Sequence, residues 1–241
     1  MSFNDNICNK FREDGFATLI DVIDVDIIDK LATIAMSNYE EVMNLIPANN
    51  LSIGIGIKEG FKEITQRHLH RFEMPYKMQD PVFNEVFKSN EILSIIKQIL
   101  GDDAIVVNRS VVISLPGSSD QAWHCDGPHL SAIEYLPCHC LNIFIPLVDI
   151  NHLNGPTEFR PSSQYLTRDF QKQYLAAFMG KRLKPTVAPS LKKGSLILFD
   201  YRILHRGKAN LSDEARPILV FTMAKPFFKD VLNFSKRSLF S

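Results

Sequence analysis

Gln121-Ala122-Trp123-His124-Cys125-Asp126-Gly127 is the stretch around which this chain is read. Its composition suits an extended strand over Gln121–Asp126. Alternate side chains of a strand face one side, so His124 and Asp126 project together while Cys125 points away. One imidazole and one carboxylate at that spacing can take two neighbouring corners of a metal octahedron. A second histidine from a later strand would complete a face. His205, in Ile203-Leu204-His205-Arg206-Gly207, is the candidate. Two histidines and one carboxylate leave three positions open, an arrangement used by non-haem Fe(II) oxygenases. Neither the HxD tripeptide nor the lone histidine is specific by itself.

Strand signals surround this segment. Ala104–Leu115, Cys138–Val148, Thr157–Arg160, Thr186–Ala188, Ser195–Asp200, Ile203–Arg206 and Pro217–Lys225 all read as strands. Turn chemistry separates them at Pro116-Gly117-Ser118, Asn154-Gly155-Pro156 and Lys193-Gly194. An insertion from Leu166 to Gly180 reads as helical.

The first hundred residues differ. A short helix is expected near Asp5–Glu13, ended by Gly15, then a strand over Phe16–Ile20. Asp26–Ile46 carries Ile27, Ile28, Leu31, Ile34, Ala35 and Val42 on one helical face. Ala48–Gly60 reads as a loop and Gln66–Phe72 as a strand. Pro81–Leu100 reads as a helix broken near Ser89-Asn90, with Gly101 at its end. Helices followed by a block of strands exclude a doubly wound sheet. The expected fold is mainly β, a double-stranded β-helix (a cupin-like jelly roll) with flanking N-terminal helices. We read one domain over 1–241: a helical flank to 103, the jelly-roll core at 104–228, and a tail from 229.

Composition narrows the function classes. The 241 residues carry 27 Lys plus Arg against 27 Asp plus Glu, so no domain-wide basic excess marks a nucleic-acid partner. No run of about 18 apolar residues signals a membrane span. The four cysteines, Cys8, Cys125, Cys138 and Cys140, are too few and uneven for a disulfide framework. A reducing, cytoplasmic setting is the expectation. Cys138-His139-Cys140 with Cys125 or His129 is a rival zinc set, weakened because strand alternation turns His139 away from both cysteines.

Arg216 adds a second signal. It lies eleven residues after His205 and opens the apolar strand Pro217-Ile218-Leu219-Val220-Phe221. A guanidinium entering a buried strand requires an anionic partner, and its planar fork suits a carboxylate.

Taken together, HxD, then HRG, then Arg-Pro at that spacing resembles the phytanoyl-CoA dioxygenase family. Phe11-Arg12-Glu13-Asp14-Gly15-Phe16 is similar to the family's helix-to-strand entry. Asn154-Gly155-Pro156-Thr157-Glu158-Phe159-Arg160-Pro161-Ser162-Ser163 resembles its NGP segment, and Lys193-Gly194-Ser195-Leu196-Ile197-Leu198-Phe199-Asp200 its GD/S-x-x-x-FD strand. The resemblance implies a hydroxylase of a small molecule, with Fe(II), 2-oxoglutarate and O2 as cofactors and succinate and CO2 as by-products. It implies His124, Asp126 and His205 as metal ligands. It also implies Arg216, Gln121, Thr157 and Asn142 as 2-oxoglutarate contacts. The carboxylate at Asp126 disfavours halogenation, for which related enzymes carry a small residue there.

Two departures stand out. Gln164 replaces the histidine of the family's PGSH, and Gly207 follows His205-Arg206 where some members place a serine. Substrate specificity is expected from Ala48–Gly60, Gln66–Met78 and His129–Pro137. Arg71 and Arg109 are the substrate-binding candidates there and on the following strand. The alternative reading is a non-catalytic or isomerase-type metal-binding cupin-like module.

Overall fold

The computed structural model describes residues 3–46, 51, 60–166, 184–231 and 233–240. Most of the expected loop at 48–60 and of the expected helix at 166–180 lies outside them.

Helix α1 (Phe3–Asp14) buries Ile7, Cys8 and Phe11 on one face. It stops at Gly15, whose φ of 85° suits a residue without a β-carbon. Strand β1 (Phe16–Leu19) follows at once. Helix α2 (Val25–Asn44) is capped by the Asp24 carboxylate, which accepts from the Asp26 N–H, and buries Ile28, Leu31, Ala35, Asn38 and Val42. The expected single strand over Gln66–Phe72 is instead a hairpin, β2 (Thr65–His68) and β3 (Arg71–Met74). His70 turns it with a φ of 58°. A 3-10 helix (Pro81–Lys88) and α3 (Asn90–Leu100) meet at Ser89, where the break was expected.

The remaining strands are β4 (Ile105–Ser114), β5 (Cys140–Pro146), β6 (Thr157–Phe159), β7 (Leu196–Asp200), β8 (His205–Gly207) and β9 (Arg216–Ala224). Seven of the nine form one antiparallel sheet in the order β1-β7-β5-β9-β4-β3-β2. The other two, β6 and β8, form a smaller sheet. Thr186–Ala188 and Gln121–Asp126 are not continuous strands. Each contributes one bridge to that smaller sheet, Val187 to Phe159 and His124 to His205. Two facing antiparallel sheets of this kind, with helices behind the larger one, make the fold a cupin-like jelly roll, as expected.

The larger sheet has two buried faces. Leu141, Ile143 and Ile145 of β5, Leu196 and Leu198 of β7, and Leu219, Phe221 and Met223 of β9 pack with α1, α2 and α3 in the main apolar core. The intervening residues face the smaller sheet. There Phe16, Phe159, Ile197, Phe199, Ile218 and Val220 form a second apolar cluster. Burying a side chain of that size contributes about 1.5–3 kcal/mol.

Candidate metal centre and anion pocket

Backbone pairing builds the centre. His124 and His205 exchange N–H···O bonds of 3.1 and 2.9 Å, while Gln121 N donates to Gly207 O at 2.9 Å. Two residues lie between 121 and 124 but only one between 205 and 207, so the HxD segment carries one extra residue. That bulge is why the expected strand is interrupted, and bulges of this kind re-aim side chains beside active sites. The segment is then anchored by Asp126 N and Gly127 N, which donate to Tyr201 O at 2.9 and 3.1 Å.

The three side chains converge. His124 Nε2 lies 3.9 Å from Asp126 Oδ1, and His205 Nε2 lies 3.6 Å from Asp126 Oδ2. One ligand atom from each residue falls within 4.8 Å of the others. Each histidine is held by its other nitrogen: Nδ1 of His124 bonds to Ala122 O at 2.9 Å and Nδ1 of His205 to Ile203 O at 3.1 Å. A carbonyl only accepts, so both Nδ1 atoms carry hydrogen, and each ring turns its Nε2 towards Asp126. Burial pulls the His205 pKa down to about 4, with Asp126 opposing the shift and His124 adding to it. His205 is thus a neutral donor at physiological pH. It sits against Phe199 and Phe159, ring centroids 4.8 and 6.0 Å away. This donor set, two imidazoles and one carboxylate with an open side at the 36% exposed His124, fits a divalent non-haem metal.

Asn142 comes out differently from its expected role. Its Nδ2 donates to Asp126 Oδ2 at 2.6 Å, and its Oδ1 accepts from Thr222 Oγ1 at 2.7 Å. It orients the carboxylate. Asn233 joins from the C-terminal segment, donating to Asp126 O at 2.8 Å and to Asp230 Oδ2 at 2.7 Å. Sequence reading missed Asn233, Tyr201 and Ser114, because no local pattern marks a residue that reaches the site through the tertiary fold.

Arg216 is 1% exposed. Its Nη1 donates to Gly155 O at 2.8 Å and its Nη2 to Ser114 Oγ, while Nε has no partner among the described residues. Among the described residues no carboxylate pairs with it. Burial lowers its pKa to about 9, and Arg71 adds repulsion. Thr157 faces Gly207 across the β6–β8 pair, and Gln121 Oε1 accepts from Gly207 N at 2.9 Å. Arg71, Gln121 and Thr157 therefore surround Gly207, on the inward side that His205 shares, and Arg216 stands in the same sheet row as Arg71, either side of Ser114. Buried guanidinium N–H groups without a partner among the described residues, beside the His-Asp-His trio, suit an anionic chelator with a second carboxylate.

Arg109 does not join them. It alternates with Val111 and Ile113 on the helix-facing side of β4 and lies over the Phe221 ring, 5.4 Å from its centroid. The sheet separates it from the metal cluster, which overturns the expected substrate contact. Nor does the zinc rival assemble. Cys138 and Cys140 are buried thiols whose pKa burial raises, His139 packs on Phe228, and among the described residues the His124, Asp126 and His205 trio is the metal-ligand group.

Comparison with known proteins finds relatives of similar sequence and similar fold. The dioxygenase af480 of Aspergillus fumigatus is 24% identical over 164 residues, 66% of this chain. The chain spans 50% of that relative's length. The epimerase SnoN from nogalamycin biosynthesis, solved with Fe3+, alpha ketoglutarate and nogalamycin RO, superposes with a TM-score of 0.67 at 16% identity over 95% of this chain and 86% of its own. The carbocyclase SnoK from the same biosynthesis superposes with a TM-score of 0.65 at 18% identity over 93% of this chain and 84% of its own. No helix among the described residues is long and apolar enough to cross a membrane. The family model for Phytanoyl-CoA dioxygenase (PhyH) matches residues 11–218, and the chain belongs to that family.

Proposed function

We propose that this chain is an Fe(II)- and 2-oxoglutarate-dependent oxygenase that hydroxylates an unactivated C–H bond of a small molecule. The observation that carries the reading is the pairing of a converged His-Asp-His trio with a buried arginine that no carboxylate pairs with among the described residues. His124, Asp126 and His205 would hold the metal. Bound Fe(II), 2-oxoglutarate and O2 would together supply oxidative decarboxylation to succinate and CO2, coupled to oxidation of the substrate.

The chain's own residues supply placement. Asn142 and the Nδ1 hydrogen bonds fix which lone pairs face the metal. Arg216 orients the cosubstrate by its distal carboxylate, which sets the 2-oxo acid end towards the metal. The aromatic floor of Phe159 and Phe199 keeps water from His205. Retention of Asp126, rather than a small residue, favours hydroxylation. SnoN is an epimerase and SnoK a carbocyclase, so substrate pose rather than ligand set would decide between such outcomes. A small-molecule substrate is supported by nogalamycin RO in the SnoN structure.

The test is anaerobic addition of Fe(II) and 2-oxoglutarate. A weak visible charge-transfer band is expected, lost in His205→Ala and Arg216→Ala, with slow succinate release once O2 is admitted. Bound iron without band or succinate would overturn the oxygenase and favour a binding or isomerase-type module.

A further inference from the structure

A cavity of about 160 Å³ lies beside the β2–β3 hairpin, at the end away from its turn. The hairpin's two arginines part there. Arg71, the expected substrate contact, is buried and turned to the end of β8, where its Nη2 donates to Lys208 O at 2.9 Å and Ser119 O at 3.2 Å. Arg67 instead lines the cavity, with Glu73 of β3, Asn108 of β4 and Asn233 of the C-terminal segment. Phe61 and Phe234 add apolar walls.

Two separate links tie this cavity to the metal centre. The first runs across the sheet. Glu73 lies two residues from Arg71 on β3 and so shares its cleft-facing side. Asn108 pairs with Thr222, and Thr222 with Asn142, which holds the Asp126 carboxylate. With neighbouring strands about 4.8 Å apart, Asn108 stands about 10 Å from Asn142. The second link is Asn233. Its O accepts from Arg67 Nη2 at 2.6 Å, while its Nδ2 donates to Asp126 O at 2.8 Å and to Tyr201 Oη at 3.1 Å. One residue thus touches both the arginine of the cavity and a metal-ligand candidate.

What the lining leaves unpaired sets what it can bind. Glu73 Oε2 accepts from Arg67 Nε at 2.7 Å and from Arg67 Nη2, and its Oε1 accepts from Asn108 Nδ2 and Ser110 Oγ, both at 3.1 Å. A carboxylate has about four acceptor positions, so none remains for a ligand. Arg67 spends Nε and Nη2 on Glu73 and Asn233 O, and its Nη1 has no partner among the described residues. Asn108 donates through Nδ2 to Glu73 and Ser110, and its Oδ1 accepts from none of them. The Arg67–Glu73 pair is mostly out of water, its side chains 13% and 14% exposed, and its charges cancel. The other charge on the lining, Lys62, is exposed and shielded by solvent. The cavity therefore offers donors from Nη1 and an acceptor at Oδ1, with no net charge beside them.

We propose that this cavity is the recognition subsite for the end of the substrate that is not oxidised, and that it takes an apolar ring bearing an uncharged amide or hydroxyl group. The proposal rests on the oxygenase reading above. The oxygen of that group accepts from Arg67 Nη1, and its N–H or O–H donates to Asn108 Oδ1. A carboxylate does not complete this pairing, because it leaves Oδ1 without a donor and sets a second negative charge against Glu73. An ammonium does not complete it either, because it meets Arg67 and finds Glu73 already filled. A ring held there leaves the other end of a small molecule to reach the metal.

The test is an NMR titration of the full-length protein, with and without Mn(II), using four probes built on one ring: benzamide, benzyl alcohol, benzoate and benzylamine. It reads binding without turnover. Benzamide and benzyl alcohol should bind about tenfold more tightly than the two charged probes, the equivalent of one hydrogen bond. Asn108→Ala and Arg67→Lys should each erase that preference, and Asn108→Ala carries the test if Arg67→Lys does not fold. Mn(II) should broaden the ring signals of bound benzamide in wild type, because the cavity lies beside the metal. A charged probe that binds as tightly as benzamide, or no measurable binding of benzamide, would overturn the proposal. So would a preference that survives Asn108→Ala, or bound benzamide that Mn(II) leaves sharp. Protein that binds benzamide with the expected preference but takes up no Mn(II) would instead remove the oxygenase reading, and with it the substrate role of the cavity.

Discussion

The two faces of the larger sheet are built from the same strands, yet they differ in kind. The helix-facing side is an apolar layer through Leu141, Ile143, Leu219 and Phe221, interrupted by Arg109, which lies over the Phe221 ring. The cleft-facing side alternates apolar residues with Arg71, Ser114, Asn142, Arg216 and Thr222, all buried. The first face lowers free energy by removing apolar area from water. The second keeps polar and charged groups out of water at a cost in stability, which a fold retains where a ligand repays it. The contrast teaches which residues fold this chain and which equip it.

Substitutions on the two faces should therefore fail in different ways. The largest effect is expected from His205→Ala. It removes one of the three proposed metal ligands and should lower 2-oxoglutarate turnover by at least about a thousandfold, as loss of a group that acts as part of a unit does. The circular dichroism spectrum should stay native. On the other face, Phe221→Ala should cost about 3–5 kcal/mol in urea unfolding. Its Mn(II) affinity should stay near wild type below the unfolding transition. A mutant that lost metal but kept stability there would break the division between faces.

The metal-free protein should also respond to pH through His205. The unfolded imidazole takes its proton near pH 6.5. The folded one does so only near 4. Between those values the unfolded state binds more protons, so stability rises with pH over that window and is lost as pH falls from about 6.5 to 4. The loss should reach about 3 kcal/mol. Unfolding curves at pH 7 and pH 5 should show it in wild type and show it flattened in His205→Gln. The smallest effect is expected for Asn142→Ala, which releases Asp126 from its hydrogen bond. Metal affinity should fall about 10–100-fold. Little change in the unfolding midpoint is expected.

The sequence reading recovered the chemistry better than the surroundings. HxD, the later histidine and the arginine eleven residues on are short-range spacings that survive as geometry, and the three ligand candidates converge. The β-rich core with helices in front was also legible, because hydrophobic period and turn residues are local. Faces were not. Arg109 alternates visibly with Val111 and Ile113, yet both sides of β4 are covered, so alternation alone does not tell helix side from cleft side. The β2–β3 hairpin was read as a single strand because a turn at a non-glycine residue, His70, leaves no usual turn signal. Asn142 lay on a strand whose facing was open, and Asn233 reaches Asp126 from 107 residues away.

The central claim is that the charge on the cleft face serves a dicarboxylate and not the fold. Urea unfolding of wild type and Arg216→Met, with and without Mn(II) plus 2-oxoglutarate, tests it most directly. Without ligand, Arg216→Met should lie within about 1 kcal/mol of wild type, since the lost hydrogen bonds are offset by relief of an unpaired buried charge. With 2-oxoglutarate at a hundred times its wild-type Kd, the Mn(II)-loaded wild type should gain about 2.7 kcal/mol from 2-oxoglutarate and the variant almost nothing. A variant that is several kcal/mol less stable without ligand, yet gains as much as wild type with it, would contradict the account.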